Sequence, residues 1–339
     1  MIRSPRPNHY SHCLYNVDRR CFITLGYEHK PVLLDEVIEA LNIRSDGFYI
    51  DGTFGRGGHS QEILNRLGPQ GRLLSFDKDP MAITSVDEVL KQDTRFEIIQ
   101  GSFTMLMQVA KQRGINKKVA GILFDLGVSS PQLDDAERGF SFRFDAPLDM
   151  RMDTSKGQTV ADWLNRVDEK EIADVIYEYG EERASRRIAK AIVNARVEQF
   201  IETTTHLAEL VCKNITKKRR SNKSREIHPA TKTFQALRIF INKELDELND
   251  VLSQAIDVLA PGGRLAIISF HSLEDRIVKR FIRDQATADT IPAELPLMPD
   301  QTTIKLKPIG KKIRATEEEI KDNPRARSAV LRVAERCSV

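Results

Sequence analysis

The sequence predicts an α/β fold, a Rossmann-like parallel sheet with a helical insertion after the fourth strand. Three observations predict it. Strand-like and helix-like segments alternate from Gly47 to Asp125, the pattern of parallel strands joined by crossover helices. Between Arg138 and about Arg225 only helical spacing appears. A strand pattern returns at 265–270, after a strong turn.

The elements follow in order. Phe48–Asp51 is a short apolar strand, followed by a glycine-rich turn and a helix near 60–67, with Ile63, Leu64 and Leu67 on its apolar face. Arg72–Asp77, Phe96–Gln100 and Val119–Asp125 are the next strands, with helices expected near 81–91 and 105–112. In the insertion, Ile172, Val175, Ile176 and Tyr179 share one helical face, and Ile188, Ile192 and Ala195 another. A long helical region is expected over 234–259, stopped by Ala260-Pro-Gly-Gly263. A helix at 274–284 and two late strands, 304–309 and 329–334, close the chain. The expected organisation is an N-terminal extension at 1–27, disordered or an upstream start; a sheet domain from 28–137 and 236–339; and a helical insertion at 138–235.

Composition narrows the class. The 339 residues carry 52 basic and 49 acidic side chains, so polyanion affinity must come from local clustering. Cys13, Cys21, Cys212 and Cys337 form no CxxC pair, and the histidines show no HxH or HxxxH pairing, so neither a disulfide framework nor a metal site is expected. No apolar run approaches the ~20 residues of a membrane span. The 1–27 segment lacks the apolar core of a secretion signal. A cytoplasmic protein without a membrane partner is expected; oligomeric state is not legible.

The stretch Asp51-Gly-Thr-Phe-Gly-Arg-Gly-Gly-His59 lies between strand and helix, where glycines let backbone approach a ligand and the helix end offers free N–H groups. Gly52, Gly55, Gly57 and Gly58 do not fit the G-x-G-x-x-G spacing of a dinucleotide site. S-adenosylmethionine suits the pattern better, because acids end the strands around the turn. Asp51 ends the first strand. Asp77 ends the second and suits two ribose hydroxyls, with Asp79 as competitor. Asp125 ends the fourth and faces the adenine or methionine end. Phe103 is placed to pack on adenine, and His59 to touch the cofactor or cap its helix. A lone strand-end Asp is more often a cap; the conjunction on one sheet edge raises the functional reading.

The acceptor side is read from Asp125-Leu-Gly-Val-Ser-Ser-Pro-Gln-Leu-Asp134. A base amine has its lone pair delocalised into the ring. Acceptors on its N–H groups, from Asp125 or the Ser129, Ser130 and Pro131 turn, would help localise that pair, with proximity doing most of the rest. No cysteine accompanies this motif, which disfavours the covalent route to ring-carbon methylation. Gly139-Phe-Ser-Phe-Arg-Phe-Asp145 suits either a half-buried strand or loop, or an aromatic wall for a flipped or unpaired base. His271, after the fifth strand, is a candidate contact to the base or its amine proton, while Glu274 and Asp275 read as helix caps. Residues 181–225 hold 12 Lys or Arg against 5 Glu and no Asp, which points to a phosphate backbone. The peak is Lys217, Lys218, Arg219, Arg220, Lys223 and Arg225. A second basic set is Asn323-Pro-Arg-Ala-Arg327.

With these motifs the chain resembles the MraW/RsmH family, the bacterial small-subunit (16S) ribosomal RNA cytosine-N4 methyltransferases. The resemblance is carried by His29-Lys-Pro-Val-Leu-Leu-Asp-Glu36, the 51–60 loop, 125–134, 137–142, 147–153, Tyr179-Gly-Glu-Glu-Arg183, His228-Pro-Ala-Thr-Lys-Thr-Phe-Gln235, 260–276 and 323–332. It implies a class I methyltransferase sheet, S-adenosylmethionine as donor, and a cytidine of the decoding region, in 16S rRNA or the small subunit, as acceptor. It implies cofactor contacts from Gly57, Gly58, His59, Asp77, Phe103, Asp125 and Gln132, and it selects Asp77 over Asp79. Two alternatives stay open. A DNA amino-methyltransferase would show an Asn/Asp-Pro-Pro-aromatic turn, which Ser129-Ser-Pro-Gln132 matches only in part. A non-catalytic RNA-binding assembly factor would keep the pocket as a vestige.

Overall fold

The computed structural model describes residues 31–215, 228–287 and 304–338. In chain order the first half runs α1 (Leu34–Leu41), β1 (Phe48–Asp51), α2 (Gly58–Arg66), β2 (Arg72–Asp77), α3 (Pro80–Thr84), α4 (Glu88–Gln92), β3 (Phe96–Gln100), α5 (Leu106–Gln112) and β4 (Val119–Asp125). Helices follow: α6 (Ser130–Asp134), α7 (Val160–Leu164), α8 (Glu169–Gly180), α9 (Ser185–Glu198), α10 (Thr204–Asn214), α11 (Thr231–Asn242) and α12 (Glu244–Val258). The chain closes with β5 (Leu259–Ser269), α13 (Ser272–Gln285), β6 (Leu306–Pro308), α14 (Glu317–Asp322) and β7 (Val330–Arg336).

The described strands form one sheet in the order β3-β2-β1-β4-β5-β7-β6. The first five pair in parallel, and β7 is antiparallel to both β5 and β6. This is the Rossmann-like parallel sheet that the sequence predicts, closed by an antiparallel pair of strands. Strand order reverses between β1 and β4, so the carboxyl ends of these strands border the crevice where such sheets bind ligands. Asp51 pairs in register with Ser75 and Leu123, which puts Asp51, Asp77 and Asp125 along that one edge.

Burial explains the parallel core. All of β4 up to Asp125 is buried, as strands covered on both faces must be. One face packs under α5, α12 and α13 through Phe124, Leu252 and Val278. The other packs under α1, α2 and α4 through Tyr49, Ile63 and Leu90. A third cluster joins α7, α8, α9, α10 and α11 around Trp163, Ile176, Ile188 and Leu237, inside the stretch that follows β4.

Several boundaries differ from the sequence reading, each for a physical reason. The segment 81–91 forms two short helices, because Asp79 and Asp87 each cap one. The expected single helix over 234–259 is two. It breaks at Lys243, a non-glycine residue at φ 53, where Asn242 turns inward to bond Met150, Met152 and Arg238. The strand after 260 starts earlier, at Leu259, with a register irregularity against Val119 and Gly121. Helix α1, with Val37, Ile38 and Leu41 buried, adds an element to those expected, on helical spacing that the sequence does carry.

The crevice at the carboxyl edge of the sheet

The loop after β1 is built by Asp51. Its carboxylate accepts from the Thr53 N–H (3.0 Å) and Ser60 Oγ (2.7 Å), and Ser60 in turn meets Ser75 of β2 at 2.9 Å. Asp51 is buried, and burial raises its pKa. It is thus spent on tying β1 to α2 and β2, an internal role rather than a ligand-facing one. Gly57 takes φ 78, and a Cβ there would lie 2.6 Å from the Phe54 ring, so this turn position requires glycine. Helix α2 begins at Gly58, immediately beyond it.

Asp77 and Asp79 part ways. Asp77 accepts from the Gly55 and Asp79 N–H groups, both at 2.8 Å, and is half-buried with lone pairs to spare. Burial, with smaller repulsion from Asp79 and Asp51, pushes its pKa up to about 6. Asp79 caps α3 and is closed in by Gln132 Nε2 (2.8 Å) and Arg138 (2.7 Å). Arg138 also donates to the carbonyls of Arg151 and Met152. The structure therefore places Asp77 on the crevice and Asp79 inside a buried ion pair.

Asp125 ends β4 one strand away. Its N–H donates to Thr53 Oγ1 (2.6 Å), joining it to the glycine loop. Its Oδ1 is enclosed with no hydrogen-bond partner, while Oδ2 stands 3.7 Å from His59 Nδ1. Burial first, then Asp51 and Glu274, raise its pKa well above the usual carboxylate range. His59 Nε2 donates to the Val32 carbonyl at 3.1 Å, which fixes the ring that faces Asp125. Phe103 is half-buried and meets Phe124 edge-on at 5.4 Å.

The turn after Asp125 needs Gly127 at φ 98 and then enters α6. Ser129 N–H donates to Gln132 Oε1 (2.9 Å), and Pro131 sits in the first turn of the helix. Ser130 and Gln132 are buried; Ser129 and Pro131 are half-buried. Gln132 thus spends both ends of its amide on the protein: the Ser129-x-x-Gln132 capping box is a signal in the sequence, whereas the bond to Asp79, 53 residues away, has none. His271 caps α13, with Nδ1 accepting from the Glu274 N–H (3.4 Å) and Nε2 3.1 Å from Glu274 Oε1. Glu274 caps as expected, accepting from Phe270 N–H, whereas Asp275 pairs with Arg332. Glu244, His271 and Glu274 converge within 4.8 Å, but Arg238 bonds both carboxylate oxygens of Glu244, so this cluster is an ion-pair network.

The three alternating phenylalanines have separate fates. Phe140 is buried, Phe142 stacks on His228 at 4.5 Å, and Phe144 is 62% exposed. Arg325, from the second basic set, pairs with Asp134 at the end of α6. Lys217, Lys218, Arg219, Arg220, Lys223 and Arg225 lie outside the described residues, as do 1–27. No helix among the described residues is long and apolar enough to cross a membrane.

Comparison with known proteins follows the same lines. Residues 26–337 match the model of the MraW methylase family. The ribosomal RNA small subunit methyltransferase H of Coxiella burnetii (strain RSA 493) is 54% identical over 312 residues, covering 91% of this chain and 99% of that protein. Its namesakes in Nitrosococcus oceani and Thioalkalivibrio sulfidiphilus are 56% and 55% identical, again over 91% of this chain, and over 96% and 97% of their own lengths.

Proposed function

The chain belongs to the MraW methylase family, and we propose that it methylates N4 of a cytidine in the decoding region of 16S ribosomal RNA, with S-adenosylmethionine as donor. One observation carries the reading: Asp77, the Gly55–Gly58 turn and Asp125 meet at the strand-order reversal, and Asp125 keeps a partnerless oxygen there. The relatives named above act on small-subunit ribosomal RNA by their names, which supports that acceptor.

The donor supplies a methyl group activated by a cationic sulfonium. The residues fit such a ligand. Burial first, then the charges of Asp51 and Glu274, raise the Asp125 pKa in the free chain, and the same negative surroundings favour a cation entering the crevice. Asp77 is placed to accept ribose hydroxyls. Gly57 and Gly58, packed on Phe54 and Pro31, set the tight turn that presents the start of α2 to the donor, His59 stands beside Asp125, and the Phe103 edge borders the adenine side. Gln132 acts on the donor through Asp79 and the Ser129 backbone. For the acceptor, Asp125 and the Ser129, Ser130 and Pro131 turn offer oxygens to the amine N–H groups, holding the nitrogen lone pair in line with the methyl carbon. His271 holds the start of α13 at the same edge. The basic run at 217–225 is assigned to RNA phosphates, and the insertion at 138–235 to RNA recognition. A cytoplasmic location follows from an rRNA substrate.

The test supplies labelled donor with small subunits, naked 16S rRNA and duplex DNA, then maps the label. Label at a cytidine N4 of 16S rRNA is expected. Transfer to DNA alone, to another base position, or to nothing would sink the proposal.

A further inference from the structure

A second feature lies away from the carboxyl edge. The later half of α13 and the turn after β6 enclose a groove of about 270 Å³, floored by Ile282, Ile309 and Val333 and rimmed by Lys279, Lys311 and Lys312. The two main stretches that line it, 279–287 and 308–312, carry five Lys or Arg against one acid, Asp284. Arg276, Arg283 and Arg332 are neutralised by Glu181, Asp284 and Asp275. Lys279, Lys311 and Lys312 are exposed and make no ion pair with any described residue. Like charges held around one groove repel each other, so the arrangement gains most from an anionic partner. At 1.5 Å per residue, Lys279 stands about 10 Å along α13 from its start at the crevice edge, and Arg283 about 16 Å. A nucleic-acid strand whose target base enters the crevice can reach that distance with its backbone.

We propose that this groove is a separate RNA footing, in which Lys279, Lys311 and Lys312 hold phosphates of the nucleotides flanking the target. It rests on the reading of rRNA as substrate. The chemistry recognised is the phosphate backbone, so the footing adds affinity without sequence preference.

The test uses the full chain and a 16S rRNA fragment containing the acceptor. RNA affinity is measured from about 0.05 to 0.3 M salt for wild type and for the triple variant Lys279→Gln, Lys311→Gln, Lys312→Gln. Loss of three phosphate contacts should lower the slope of log affinity against log salt by about 2–3, and affinity at 0.1 M salt by tenfold to a hundredfold. Donor affinity by calorimetry should not change, and kcat at saturating RNA should hold while KM rises. The control triple Lys111→Gln, Lys117→Gln, Lys118→Gln removes equal charge from exposed positions near the opposite end of β4. An unchanged slope in the groove variant, or an equal loss in the control, overturns the proposal and leaves an acidic protein as the groove's partner. Wild type that methylates rRNA while the groove variant is indistinguishable from it overturns the footing alone. Wild type that neither binds nor methylates rRNA overturns both readings.

Discussion

Asp77 should make donor binding depend on pH. Its folded pKa of about 6, against 3.8 for the free group, arises first from burial. Ribose hydroxyls are bound best by the ionised carboxylate, which is an acceptor only. A group with that pKa is about 9% ionised at pH 5 and about 91% at pH 7, so donor affinity should rise about tenfold over the interval. Calorimetry of donor binding at pH 5, 6 and 7 reads this directly. Asp77→Asn should bind the donor more weakly at pH 7 and lose this part of the pH dependence. Asp125 also titrates above the usual range and remains in the variant, so the difference between the two curves isolates Asp77.

The same shift has a stability consequence. An acid whose folded pKa lies above its unfolded value favours the folded state when protonated. Its contribution is complete below about pH 3.8 and is lost as pH rises through about 6, by about 3 kcal/mol in all. The donor-free chain should therefore lose resistance to urea between pH 4 and pH 7 relative to Asp77→Asn, and the added donor should recover most at pH 7. Flat donor affinity between pH 5 and 7, or equal slopes in wild type and variant, would refute the reasoning.

Three further outcomes follow from single contacts. Arg138→Met strands a buried Asp79 carboxylate and should cost about 3–5 kcal/mol in urea titrations followed by the fluorescence of Trp163, the chain's one tryptophan; adding Asp79→Ala should restore part of it, and purely additive losses would deny the coupling. Gly57→Ala should lower both melting temperature and donor affinity more than Gly55→Ala, because both have positive φ but only Gly57 would press a Cβ into the Phe54 ring; equal effects would dismiss that clash. Lys243→Gly should raise stability by about 0.5–1 kcal/mol by relieving the left-handed backbone between α11 and α12, and a lower melting temperature would count against strain at that position.

What the sequence disclosed, and what it withheld, divides by the distance between interacting residues. The strands through β4 were legible because their signal is local: apolar runs of four to seven residues bounded by turn chemistry. The Asp87 cap on Val89 is just as local, two residues apart, yet the helical spacing of 81–91 masks it. Asp77 and Asp79 were indistinguishable by the same logic, because both follow β2 and both suit a cap or a ligand. What separates them is Arg138 and Gln132, 59 and 53 positions on, which claim Asp79 and leave Asp77 open. Asp51 shows the converse. It shared the strand-end placement of Asp77 and Asp125, yet Ser60 and Thr53 consume its oxygens within nine residues, a local cost the pattern of acids concealed. The break at Lys243 had no signal of either kind, since no glycine or proline marks it and the bonds of Asn242 to residues 150 and 152 impose it. Strand-end acids therefore identify the edge of a sheet where a ligand binds, but which acid faces the ligand is decided by the partners that neutralise the others.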